Sequence, residues 1–531
     1  MNSVLLKKEV VLGIIFLFLG AGVSSTIAQQ IPNEFTMNNR FEKPENSFLG
    51  ENNWWKYHHD NNNTGSSTSS APTTNNVLWS VPIQINTARA QPIIVDGKVY
   101  CGSTDHHLYC LNEADGNQIW SFQTGGMVRS TPAVISGKIY FGCHDGYFYC
   151  LDCATGLLVW RFAMGTHINP SPAIYSGKVF IGNENGRLYC LDAESGVILW
   201  MFSIGGVFHS SPAVIDNKVY IGGEDNRIYC LDAVDGHVIW SYTTGFFVHS
   251  SPAISSGKVF IGSEDHTIYC LNAQNGNLIW SYTTGNNVYS SPAVMYGNVY
   301  IGSDDGTFYC FDESDGTLIW TYYVGPYYGD INPAVADNKV YTGTYIGFYC
   351  LDAFDGTLIW NFDSGVSSGS PSIADGKVFV DSGGILYCFG TQTVSIDIKP
   401  GSYPNSVNPK SNGKLPVAIL TTEDFDACHV NPDSILFLGA SPLMWAMDDV
   451  DDDGDSDMIL HFKIKDLDFS LLVDEGGEYP YAYLSGQTND GAPFTGKDTV
   501  RLIGQLLKEI WNAFLSKVFG LLSFIIPTIE T

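Results

Sequence analysis

Tryptophan returns down this chain at Trp79, Trp120, Trp160, Trp200, Trp240, Trp280, Trp320 and Trp360, in steps of 40 residues after a first step of 41. Cysteine keeps the period at Cys110, Cys150, Cys190, Cys230, Cys270, Cys310 and Cys350, with Cys388 ending the series. Proline keeps it at Pro92, Pro132, Pro172, Pro212, Pro252, Pro292, Pro333 and Pro371. Three residue types in one register define an internal repeat, and a repeat restricts the fold to units that bury their faces against copies of themselves. A residue present in every copy is then explained first by packing.

One unit reads SSPAVIDNKVYIGGEDNRIYCLDAVDGHVIWSYTTG, from Ser210 to Gly245. Its four short apolar runs are separated by Asp216-Asn217, Glu224-Asp225-Asn226 and Asp235-Gly236. That pattern predicts strands joined by tight hairpins. Four antiparallel strands in about 40 residues make one propeller blade, and packing blades in a ring covers both faces of each sheet. Trp79 precedes the first proline, and the last unit, Pro371 to Cys388, lacks a fourth strand with tryptophan. The strand Asn76–Ile83 is therefore expected to complete the eighth blade, which removes the open edge of the ring. The expected fold is all-β: an eight-bladed β-propeller over residues 76–391 closed by an N-terminal strand, a small β-sandwich over 394–504, and an amphipathic helix over 505–531.

The segments LDAVDGHVIW, LDAESGVILW and LDAFDGTLIW resemble the tryptophan-docking motif of the PQQ-like (quinoprotein-type) propellers. The lead-in Trp55-Lys56-Tyr57-His58-His59-Asp60, followed by Asn63-Thr64-Gly65, is similar to the segment that often precedes such propellers. The resemblance implies a fold more than an activity, since one propeller serves many functions. One branch it implies binds PQQ and calcium over the ring centre and oxidises alcohols or sugars. The other, with the outer-membrane assembly propellers, binds proteins. This chain departs from the first branch: its blades are nearly minimal, it has no adjacent Cys-Cys pair, and no calcium set or catalytic Asp can be matched to unique positions. It departs from the lipoproteins of the second, because no cysteine precedes Cys101.

Lys7 and Lys8, an apolar run from Val10 to Gly22 and small residues to Ala28 read as a signal peptide over 1–28, so the protein is expected outside the cytoplasm. Residues 29–75 form the leader, and its Asn/Ser/Thr-rich part, Asn61–Asn75, is expected to be flexible. A net charge of −29 argues against a nucleic-acid partner, which needs a basic surface. Cations or basic protein patches suit it better. The eight periodic cysteines occupy one equivalent position in neighbouring blades, roughly 10 Å or more apart by sheet spacing. A disulfide needs Cα atoms within about 7 Å. They are expected as small buried core residues, with Cys101, Cys143, Cys153 and Cys428 outside the pattern. Free thiols in an exported protein point to an anaerobic host.

Positions that differ between copies are the place to look for binding. The residue three before each proline is one: Arg89, Arg129, Asn169, His209, His249, Tyr289, Asp330 and Ser368. Each sits in the loop leading to the innermost strand, so the eight are expected to ring the channel mouth and bind a ligand there. Phe208, Phe246, Phe247, Tyr327 and Tyr328 lie in the same loops and suit protein or glycan contact. His209 and His249 alone would make a weak metal site. The turns between second and third strands carry Asp105, Asp145, Glu184, Glu224-Asp225, Glu264-Asp265 and Asp304-Asp305. These are the residues a hairpin turn demands, and as a set they give one face negative potential.

After Gly390 the period stops. The stretch VSIDIKPGSYPNSVNPKSNGKLPVAILTTEDFDA resembles a C-terminal module of secreted bacterial and archaeal proteins. Asp449, Asp451, Asp453, Asp455 and Asp457, with Gly454 in the sixth place, follow the oxygen-rich calcium-loop pattern, without its closing Glu because Leu460 stands there. Structural calcium is the expected cofactor; PQQ is not expected. In the tail, Leu502, Ile503, Leu506, Leu507, Ile510, Trp511, Phe514 and Leu515 follow three-four spacing, which predicts a helix for a membrane surface, an oligomer seam or a span. The expected function is an exported, non-enzymatic propeller that binds protein or glycan at the cell surface. The alternatives are a PQQ-dependent quinoprotein dehydrogenase and a structural surface-layer or adhesion protein.

Overall fold

The computed structural model describes residues 53–83, 90–325, 331–344, 346–363, 368–422, 425–474, 479–489 and 491–503. The signal segment 1–28, the leader up to residue 52, Arg89, Tyr327, Tyr328, Asp330 and the tail 505–531 lie outside them. Among the described residues no helix is long and apolar enough to cross a membrane.

Among the described residues the regular structure is nearly all β-strand. After β1 (Val77–Pro82), the first full unit gives β2 (Ile93–Val95), β3 (Lys98–Gly102), β4 (His107–Asn112) and β5 (Gln118–Gln123), hydrogen-bonded in that order. Six more four-stranded sheets repeat this arrangement, and an eighth is built from Ser372–Ala374, Lys377–Ser382, Ile385–Phe389 and β1. In that sheet β1 runs antiparallel to Ile385–Phe389, with Trp79 opposite Cys388. The chain ends thus meet in one sheet, as the unpaired first tryptophan requires. The innermost strands adjoin their neighbours, and the first adjoins the last, which closes the ring.

The repeated residues are the joints between sheets. Trp160 Nε1 donates to Ala193 O at 3.1 Å, Trp200 to Ala233 O at 3.2 Å and Trp240 to Ala273 O at 3.0 Å, each reaching a residue 33 positions on in the next sheet. A glycine accompanies each indole. Gly236 has φ +78°, and a Cβ there would stand 2.6 Å from Trp200 Cε3, so only glycine fits beneath the ring. The residue before each repeated proline forms a second joint. Thr131 N donates to Ser171 Oγ, Ser171 N to Ser211 Oγ, Ser211 N to Ser251 Oγ and Ser251 N to Ser291 Oγ, at 2.8–3.0 Å. Asn332 and Ser370 carry the belt on, and Gln91 joins both ends through Thr131 and Pro371 O. The periodic cysteines from Cys110 to Cys388 are buried free thiols, as expected of core residues. Burial pushes Cys190 and Cys230 up to about 12.

The stretch Asn61–Asn75, expected to be flexible, is instead bound to the ring. Three-residue inner strands leave backbone donors facing the axis, and a buried donor must find an acceptor. The lead-in supplies it. Ile94 N donates to Trp54 O, Val134 N to Trp55 O, Val214 N to Asn61 O, Ile254 N to Asn62 O, Val294 N to Thr64 O and Val335 N to Gly65 O, at 2.7–2.9 Å. One short coil that bonds six sheets must lie on the axis, so it plugs the channel. Its polar composition, read as looseness, is what backbone edges need as a partner. Further on, Pro72 O accepts from Tyr341 OH at 2.8 Å and Trp360 Nε1 at 3.3 Å, replacing the carbonyl 33 residues on that serves the other joints, where the eighth sheet is discontinuous in sequence.

The plug buries charge. Lys56 Nζ is 2.7 Å from Asp60 O and 2.6 Å from Asn63 Oδ1. Burial lowers its pKa to about 7, partly opposed by Asp60. His58 is fully buried, and desolvation together with the Lys56 charge lowers it to about 3. Burial pushes Asp60 upward, but the His59 imidazole beside it and hydrogen bonds from Thr64 hold it below its ordinary value.

After the ring, two four-stranded sheets share one apolar core. One contains Ile396–Ile398, Lys414–Ile419, Asp457–Lys463 and Met444–Asp448; the other contains Gln392–Val394, Pro493–Thr499, Tyr481–Thr488 and Val430–Phe437. Ile398, Val417, Leu460, Phe437 and Leu484, drawn from both sheets, are fully buried within it.

Candidate functional site

Alternation of strand direction puts two loops of every sheet at one end of the ring: the loop leading to the inner strand and the turn between second and third strands. Backbone contacts confirm the pairing, since Gly125 N donates to Asp145 Oδ2 and His144 N to Met127 O at 2.9 Å. The acidic turn residues then divide into two kinds. Asp145, Asp225, Asp265 and Asp305 are structural: each accepts the hydroxyl of the tyrosine four residues on, at 2.6 Å from Tyr149 and Tyr269 and 2.7 Å from Tyr309. The residue just before each faces the mouth. In five of the sheets the mouth therefore takes two positions, fifteen apart: Arg129 with His144, Asn169 with Glu184, His209 with Glu224, His249 with Glu264, and Tyr289 with Asp304.

In the third sheet the pair is an amide and a carboxylate, Asn169 Nδ2 donating to Glu184 Oε1. Asn169 Oδ1 lies 2.6 Å from His144 Nε2, and His144 stacks on His167 at 4.6 Å. Burial, helped by the Arg129 and His167 charges, holds His144 below its ordinary value despite Asn169. In the fourth and fifth sheets imidazoles replace the amide. His249 Nε2 is 2.9 Å and His209 Nε2 3.4 Å from Glu224 Oε1, and His249 Nδ1 is 3.0 Å from Glu264 Oε1. Side-chain exposure is 19% for His209 and Glu224, 16% for His249 and 9% for Glu264, so the cluster is sheltered but reachable. Phe247 and Tyr289 flank His249 at ring distances of 6.2 and 5.6 Å. The floor is the plug: Asn63 Nδ2 reaches Pro212 O and Pro252 O, three residues beyond the two histidines, at 3.4 and 3.1 Å.

Arg129, Asn169, His209, His249 and Tyr289 each stand partly buried in the loop leading to an inner strand. Ser368 does not face the mouth. It is fully buried, its hydroxyl 3.0 Å from Ser382 Oγ, because a bridge between the two residues draws it into the eighth sheet. Glu184, Glu224, Glu264 and His144 are the mouth residues that the choice of one position per copy missed. Their signal was present, since they too vary at one register.

In the C-terminal sheets the Asp-rich segment is the hairpin between Met444–Asp448 and Asp457–Lys463. Carboxylate oxygens of Asp449, Asp451 and Asp453 gather within 4.8 Å of one another. Partial desolvation and the charges of Asp453 and Asp457 hold Asp451 above its ordinary value. Asp449 also accepts from Asp453 N and Gly454 N. Asp457 is fully buried and gives its two oxygens to Thr421 N at 2.7 Å and Val450 N at 2.9 Å. Asp455 is exposed and stands outside the cluster.

The family model described as outer membrane protein assembly factor BamB matches residues 64–156, 144–255, 243–344 and 325–402. Among solved structures, BamB from Moraxella catarrhalis aligns with a TM-score of 0.53 at 16% identity, covering 59% of this chain and 99% of that one. Quinohemoprotein alcohol dehydrogenase from Comamonas testosteroni aligns with a TM-score of 0.56 at 17% identity, covering 65% and 82%. The computationally designed Ika8 protein aligns with a TM-score of 0.54 at 17% identity, covering 59% and 99%. At such identities the likeness shows the fold alone, and this fold carries an assembly factor, a dehydrogenase and a designed protein. No match is found among curated proteins.

Proposed function

Because this chain belongs to the family described as outer membrane protein assembly factor BamB, we propose that it is an exported, non-enzymatic scaffold that binds a protein or glycan at the cell surface. The observation that carries this reading is the mouth: in five of the sheets a repeated frame presents two varied side chains, polar and aromatic together, above a plugged floor. Aromatic anchors beside polar partners suit recognition of a peptide or a sugar. Each unit stays near 40 residues, so no inserted loops wall off a chamber for a cofactor and substrate. Structural calcium at Asp449, Asp451 and Asp453 belongs to the same proposal, as a brace for the hairpin they form.

The dehydrogenase reading keeps one support, the structural likeness to the quinohemoprotein enzyme. The two readings part on binding. Peptide and glycan arrays probed with the full chain, then with Arg129→Ala and Tyr289→Ala, test the scaffold. The expected result is a ligand class whose binding falls at least tenfold in both variants. Binding that ignores both changes would contradict a role for the mouth.

A further inference from the structure

We propose that His209, His249 and Glu224 form a site for a borderline divalent cation of the zinc type in the propeller mouth, which goes beyond the scaffold reading. Two imidazoles alone are a weak site. The fold adds the third ligand, because Glu224 stands fifteen residues after His209 in the same sheet and turns its carboxylate to both rings. One ligand atom from each residue lies within 4.8 Å of the others. The separations from Glu224 Oε1, 2.9 Å to His249 Nε2 and 3.4 Å to His209 Nε2, bracket the spacing of ligands around a tetrahedral zinc ion. That spacing is about 3.3 Å for metal–ligand distances near 2.0–2.1 Å.

A second observation is independent of the ligand set. A metal-bound imidazole usually donates its other N–H to a carboxylate, which fixes the tautomer and strengthens the ligand. His249 Nδ1 has a carboxylate oxygen at hand for that role, Glu264 Oε1 at 3.0 Å, which makes no hydrogen bond without a metal, and Glu264 comes from the fifth sheet rather than the fourth. The third sheet supplies the contrast. Asn169 occupies the place of His209, and its amide donates directly to Glu184, whose other oxygen lies 3.4 Å from His167 Nδ1, so an amide there leaves only one imidazole against the carboxylate. Nitrogen and carboxylate donors together suit zinc, cobalt or nickel rather than the hard cations expected at the Asp449 loop. Three protein ligands leave a position for water or for a partner's side chain.

The test is calorimetry of Zn2+ and Co2+ into chelator-stripped full-length protein, with calcium in excess to fill the acidic hairpin. One site per chain is expected, weakened at least 100-fold in His209→Ala/His249→Ala and in Glu224→Ala. Glu264→Gln, which touches no metal, should weaken it by about 10–100-fold at unchanged stoichiometry. X-ray absorption of the zinc-loaded parent protein should show two imidazoles and no sulfur, and this needs no variant to fold. The exposed group Asp426, Cys428 and His429 is the competing site, and a thiolate charge-transfer band with Co2+ would identify it. Such a band at the tight site, sulfur in the absorption spectrum, or unchanged affinity in both alanine variants would overturn the proposal.

Discussion

Replacing Gly236 with alanine isolates the contact that joins one sheet to the next. Two glycines share a left-handed backbone and differ in surroundings. Gly236 has φ +78°, and a Cβ there meets Trp200 Cε3 at 2.6 Å and Cδ2 at 2.8 Å. Gly257 has φ +72°, and nothing lies within 4 Å of its Cβ. Gly257→Ala should therefore show the backbone cost alone, about 1–2 kcal/mol. Gly236→Ala carries that cost and must also displace an indole that is 9% exposed and donates to Ala233 O. Overpacking adds about 1–3 kcal/mol, and loss of the hydrogen bond about 0.5–1.5 kcal/mol. The gap between the variants should be roughly 2–4 kcal/mol by those two contributions. Urea unfolding followed by tryptophan fluorescence measures it. Equal losses in the two variants would refute docking of the indole on glycine as the joint between sheets.

Three further outcomes follow from the fold. His58 is held near 3 in the ring against an ordinary 6.5, so its contribution is fully present above pH 6.5 and is lost as pH falls toward 3. His58→Asn, which tolerates the φ of +52° found there, should flatten the acid limb by on the order of 5 kcal/mol, read from urea midpoints at a series of pH values. Of the thiols outside the periodic set, Cys428 is exposed and Cys153 half-buried, while the periodic eight are buried. A thiol reagent should thus label Cys428 first in native protein and the periodic cysteines only on unfolding, and early labelling of Cys190 or Cys230 would contradict the burial. If calcium binds the Asp449 hairpin, a concentration 100-fold above its Kd should stabilise the protein by about 2.7 kcal/mol. Asp451→Asn with Asp453→Asn should abolish that shift in thermal unfolding.

Periodicity made the ring legible, because tryptophan, cysteine and proline each mark one place in a blade. It also exposed the closure, through a tryptophan with no unit of its own. It could not reveal the plug. Asn61–Asn75 carries the composition of a linker, and only the axis-facing donors of Val214, Ile254 and Val294 explain why such a segment is held. The mouth was half legible. His209 and His249 stood out as variable, whereas Glu224 and Glu264 were hidden among turn aspartates that differ from them by one position and serve Tyr229 and Tyr269 instead. Ser368 obeyed the period but not the geometry, since its bridge to Ser382 is local to the eighth sheet.

The most direct measurement is a calorimetric titration of PQQ into the full-length protein with calcium present. A binding scaffold predicts no saturable heat from protein shown to be folded by its unfolding transition. Saturable binding at one site per chain, micromolar or tighter and lost in Arg129→Ala with His209→Ala, would contradict the account and make the propeller a quinone enzyme.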